Sequence, residues 1–139
     1  MTMRNTGSAI LMAAALCLSP VAHAAPAAAP PQQDSDYQAM VRCYGFHFFK
    51  IEMGTVIKND EITAAGRDQS ALDLAALRVY STKKGVNWAT IQAAADASAK
   101  ARRAAYVENA DQDAGRKAMM DDQEFCTSDA FVDILLRYQ

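Results

Sequence analysis

The chain predicts an all-α fold, a small antiparallel bundle of about four helices with one disulfide joining its first and last helical regions. Three observations carry that prediction. All four prolines lie at positions 20, 26, 30 and 31, so the rest of the 139 residues is free of the strongest helix breaker. Apolar side chains then recur at spacings of three and four, with no run of strict alternation and no Asn-Gly or Asp-Gly turn that would support a hairpin. Finally, a secretion signal places the remaining cysteines where they can pair.

That signal is read over residues 1–24. Arg4 gives a positive start, Ala9 to Leu18 an apolar run, and Ala22-His23-Ala24 a small-residue cleavage site before Ala25. A membrane span needs about 20 apolar residues, whereas this run stops after ten at Ser19-Pro20. The expected product is exported to the periplasm without a stable membrane anchor. Cys17 is a poor lipidation site because Leu16, rather than a small residue, precedes it. Cleavage also removes Arg4, leaving 13 basic and 16 acidic side chains and a net charge of −3. Nucleic acid is therefore not an expected partner, since its affinity rests on neutralising phosphates with Lys and Arg.

Residues 25–33, Ala-Pro-Ala-Ala-Ala-Pro-Pro-Gln-Gln, form a low-complexity tether without apolar periodicity. The helical domain occupies residues 34–139. Its first helix is expected to start near Asp34 to Asp36, capped by Asp34 or Ser35, and to run to about Lys58. Tyr37, Met40, Val41, Tyr44, Phe48, Ile51 and Thr55 form its inward stripe. A second helix follows Asn59 to Glu61, carries Leu72, Ala76, Val79 and Tyr80, and ends at Lys83-Lys84-Gly85. Cations in the last turn and a glycine beyond it are stop signals. Asn87 caps a third helix running from Trp88 through Ile91 and an alanine-rich stretch to Tyr106, whose small side chains permit close approach of a neighbour. The fourth region opens at Asp111 and Asp113, passes Met119, Met120 and Phe125, and closes with Phe131, Ile134, Leu135 and Tyr138. Thr127 or Ser128 can cap a separate terminal helix, giving either one kinked helix or two.

Cys43 and Cys126 are the two cysteines left after cleavage, so their pairing is unambiguous. In an up-down-up-down bundle the first and last helices are neighbours, which makes the bridge geometrically natural.

The first helix is apolar on two sides. Phe46, Phe49, Met53, Val56 and Ile57 gather opposite the inward stripe, interrupted by Arg42 and Lys50. Two apolar faces mean that the helix is sandwiched within the fold or meets a partner. These five residues are the candidate protein-binding surface. A membrane surface is a weaker match, because the polar face lacks Lys and Arg enrichment.

Catalytic and cofactor chemistry has few residues to work with. His47 is the single histidine after cleavage, and it lies in the aromatic run Tyr44 to Phe49, where a packed imidazole is the common outcome. No G-x-S-x-G, C-x-x-C or C-x-x-C-H motif is present, and no catalytic residue is assigned. Haem on His47 with Met53, Met119 or Met120 is the sharpest cofactor alternative, and a small hydrolase using His47 and carboxylates its companion. Zinc lacks ligands. Asn109 to Met120 departs from a calcium loop at Ala114 and Met120, the positions that need glycine and glutamate, so its acids are expected to cap a helix. Asp121, Asp122 and Glu124, like Lys100, Arg102 and Arg103, are expected on solvated faces. The expectation is thus a soluble, non-enzymatic periplasmic protein without cofactor or metal. It would act by binding another protein or itself, in a chaperone, inhibitor or immunity-type role.

Overall fold

The computed structural model describes residues 34–139, so the signal segment 1–24 and the tether 25–33 lie outside the described residues. Five α-helices follow in order: α1 (Ser35–Val56), α2 (Asp60–Lys84), α3 (Trp88–Tyr106), α4 (Gln112–Cys126) and α5 (Asp129–Arg137). The helical bundle and its bridge are as expected, with the fourth region resolved into two helices.

Each boundary has a local cause. Asp34 caps α1 by accepting from the backbone N–H groups of Asp36 and Tyr37. Asn59 does the same for Ile62 at the start of α2, and Asn87 for Ala89 at the start of α3. Asp111 caps α4 through Asp113 and Ala114, which is the role its acidic cluster was expected to fill. Ser128 accepts from Phe131 N–H at 3.3 Å and separates α5 from α4. Gly85 ends α2 with φ +66°, a left-handed conformation that costs other residues about 1–2 kcal/mol.

Helix α1 is the hub, touching each of the other four. Its buried positions, Ala39, Met40, Val41, Cys43, Tyr44, Gly45, Phe46 and His47, leave almost no side of its middle exposed. A helix apolar on all sides is a buried helix, and this resolves the two-faced pattern in the sequence. Close approach is permitted by small residues: a Cβ on Gly45 would lie 2.5 Å from Ser98 Oγ and 2.9 Å from the Ser98 backbone. The alanine-rich α3 therefore lies almost in contact with the α1 backbone at this point.

Several orientations differ from the sequence expectation. Phe48 and Thr55, expected inside, are exposed, with Phe48 leaning on Tyr44 at 6.0 Å between ring centres. Leu72 of α2 is 59% exposed, because the helix buries Thr63, Gly66, Ser70, Asp73, Ala76, Leu77 and Tyr80 instead. That face also runs at spacings of three and four, but its first half is small or polar and hydropathy does not mark it.

The core is completed by Val86, Ile91, Ala95, Phe131 and Tyr138. Tyr80 stacks on Tyr37 at 5.3 Å and tilts against Tyr138 at 5.5 Å, fastening α1, α2 and the chain's end together. Cys43 and Cys126 are bonded, with their Cα atoms 5.5 Å apart.

Candidate functional site

Three polar or apolar constellations surround α1. The first is an open groove of about 480 Å³ at the C-terminal end of α1, lined chiefly by Phe49, Ile51, Met53, Val56 and Val107, with Glu52 and Arg103 at its edge. Phe49 meets the edge of Tyr106 at 4.9 Å and is 5% exposed. Of the other lining residues, Val56 is 80% and Val107 64% exposed, and Ile57, next to Val56 in the chain, is 56% exposed. Arg103 bridges Glu52 and Glu108, each at 3.6 Å. The apolar opening is thus bordered by charges that already have partners.

The candidate stripe Phe46, Phe49, Met53, Val56 and Ile57 is therefore divided. Phe46 and Phe49 are corrected from surface to core, because Tyr106 at the end of α3 packs against both rings. Met53 is half-buried in the groove, and Val56 and Ile57 stand in solvent. Val107, which no periodicity marked, joins them from the turn after α3.

The second constellation is His47 with Asp73. Nδ1 of His47 donates to Oδ2 of Asp73 across 2.7 Å, and the two side chains are 3% and 1% exposed. Burial raises the Asp73 pKa, while the hydrogen bond and charge of His47 act in the opposite sense. Nε2 of His47 and Oδ1 of Asp73 have no hydrogen-bonding partner. Both residues line a cavity of about 300 Å³ with Gln69, Leu72, Cys126, Thr127, Phe131, Val132 and Leu135. His47 is thus packed, as its aromatic context suggested, but it is also paired. The sequence offered one signal for its partner: Asp73 lies seven residues before the core residue Tyr80, on the same helical face.

The third constellation centres on Asp122, whose placement on a solvated face is corrected: the residue is 1% exposed. It accepts from Arg42 Nε at 2.6 Å, from the Tyr106 hydroxyl, and pairs with Arg102 Nη1 at 2.9 Å. Burial and the bond to Asp122 push the Tyr106 phenol well above its ordinary pKa. Arg42 also lies over the Phe125 ring at 4.6 Å. Arg102 is half-buried by this pairing, whereas Lys100, Arg103, Asp121 and Glu124 stay exposed as expected. A carboxylate gripped by two guanidinium groups and a phenol from two other helices holds α1, α3 and α4 together.

The haem alternative can be tested on these positions. Met53 lines the groove rather than the His47 cavity, and neither Met119 nor Met120 borders that cavity. The His47-Met pairs considered from sequence are thus not assembled around one pocket. Among the described residues, no group of three or more His, Cys, Asp or Glu side chains is placed to hold a metal ion.

Comparison of the chain with protein-family models, with characterised proteins and with solved structures returns no match.

Proposed function

We propose that this is an exported helical protein that acts by binding another protein through the groove at the C-terminal end of α1. The observation that carries the reading is the exposure of Val56 and Val107, both more than half exposed, on an apolar groove that Phe49 also lines, with exposed Ile57 next to Val56 in the chain. An exposed apolar cluster with a polar border has the layout of a binding surface, in which a few desolvated anchors supply most of the affinity. Glu52 and Arg103 form that border and would fix the orientation of a partner. Export rests on the sequence of residues 1–24 and is supported by the Cys43–Cys126 disulfide, a bond that persists in oxidising compartments. Among the described residues no helix is long and apolar enough to cross a membrane. The periplasm is the compartment this reading assigns.

The contact residues are Met53, Val56, Ile57 and Val107. Val56→Asp combined with Val107→Asp places two carboxylates in the opening while leaving the core residue Phe49 intact. The double variant should retain helicity by circular dichroism. It should also fail to retain the periplasmic protein that the unaltered chain captures under non-reducing conditions. Capture at undiminished yield by the folded variant would overturn the assignment.

A further inference from the structure

The His47–Asp73 cavity shares no lining residue with the groove and opens to solvent past the exposed side chains of Leu72 and Val132. Buried polar atoms ordinarily have partners. Here the walls supplied by Leu72, Phe131, Val132 and Leu135 are apolar, while the adjoining pair leaves one nitrogen and one carboxylate oxygen unsatisfied. Each such group carries a desolvation cost that a bound hydroxyl relieves.

We propose that this cavity binds a small neutral alcohol or phenol, whose apolar body fills the space between α2 and α5 and whose hydroxyl engages the unpartnered atoms of His47 and Asp73. Three features select that chemistry. The volume of about 300 Å³ lies at the lower end for ligand pockets, which suits a molecule of roughly ten heavy atoms. The two open positions differ in kind: Oδ1 of a carboxylate accepts, whereas an imidazole Nε2 accepts or donates according to its protonation. A hydroxyl, at once donor and acceptor, serves both positions in either state. An anion is disfavoured beside the Asp73 carboxylate, and an ammonium, which only donates, cannot serve Nε2 when that nitrogen carries a proton. Lys50, on the same helix as His47, is bonded at 2.9 Å to Gln69, one of the lining residues.

The disulfide assembles the site. Cys126 is one of the lining residues and is tied to Cys43, one turn before His47 on α1. The α4–α5 corner that carries Thr127, Phe131 and Val132 is thereby held against the imidazole.

The test uses the oxidised protein with phenol, toluene and benzoate as probes, followed by calorimetry and by the ring nitrogen resonances of His47. Phenol should shift the His47 resonances and bind about tenfold more tightly than toluene, the ratio expected for one good hydrogen bond. Benzoate should bind more weakly than phenol. Val132→Trp, at a lining position 46% exposed and so unlike a core substitution, should retain helicity and abolish the phenol-induced shift. Equal affinity for phenol and toluene would overturn the proposal. So would unperturbed His47 resonances at about 10 mM phenol, where even millimolar binding registers.

Discussion

Breaking the Cys43–Cys126 bond should lower the melting temperature by about 20 °C, and the size of that fall follows from the closed loop. The cysteines are 83 positions apart, so the bridge closes a loop of 84 residues. Loop-closure entropy assigns about 4.6 kcal/mol to a loop of that length. Residues 34–139 unfold with an entropy of about 0.22 kcal/mol/K at the usual value per residue, and the quotient is about 20 °C. Packing should contribute little, because both cysteines are buried and a reduced thiol still fills its place as a small apolar group. Thermal and urea unfolding followed by circular dichroism, with and without reductant, provide the measurement. An entropic origin in the unfolded state makes a second demand: the urea m-value should rise on reduction, as the released chain exposes more surface. A loss of less than about 5 °C would refute the calculation. A large loss with an unchanged m-value would transfer the effect from the unfolded chain to strain or repacking in the native one.

Two further predictions concern single carboxylates. Asp122→Ala should cost about 2–3 kcal/mol, less than the roughly 3–5 kcal/mol for a fully buried pair, because Arg42 and Arg102 keep 34% and 29% of their side-chain surface in water. Asp122→Asn, which still accepts from Tyr106, should cost less, and equal urea midpoints for wild type and Asp122→Ala would contradict the role given to the cluster. Asp34 is partly desolvated, which alone would raise its pKa. Its bonds from Tyr37 N–H and Tyr80, with Lys84 nearby, outweigh this and lower it. A lowered carboxylate stabilises the fold fully above its unfolded pKa of about 3.9, and that contribution disappears as pH falls through the lower folded value. Asp34→Ala should therefore cost about 1 kcal/mol at pH 7, as an N-cap does, and distinctly less at pH 2.5. A pH-independent difference in melting temperature between the two proteins would contradict this account.

What the sequence made legible was the part of the fold that acts locally. Caps at Asp34, Asn59, Asn87, Asp111 and Ser128 and the stop at Gly85 are short-range events, written within four residues of where they occur. The disulfide was legible by elimination. Orientation was harder wherever the buried face was polar. Leu72 looked like core, yet the helix turns the neighbouring Asp73 inward, where His47 is its partner 26 residues earlier in the chain. Asp122 misled for the same reason: its partners Arg42, Arg102 and Tyr106 come from two other helices. The candidate surface was half legible. Val56 and Ile57 are exposed as required, but Phe46 and Phe49 lie beneath Tyr106, a contact between α1 and α3 that periodicity within one helix cannot reveal.

The arrangement around residues 42 to 47 explains why a chain with a covalent tie also retains buried charge. A disulfide fixes one point between two helices and leaves each free to rotate about its own axis. On α1 the adjacent residues Arg42 and Cys43 reach Asp122 and Cys126, which are one turn apart on α4, so a second attachment stands beside the first. Two attachments one turn apart set the rotation and register of α4 as well as its distance. His47, one turn further along α1, then binds Asp73 and fixes α2 in the same way. Each polar link demands a matched partner in one geometry, whereas small residues such as Gly45 and Ser98, between α1 and α3, slide at little cost. The polar pairs therefore supply directional constraints that the non-directional apolar core does not, and the His47–Asp73 pair itself forms part of the cavity wall.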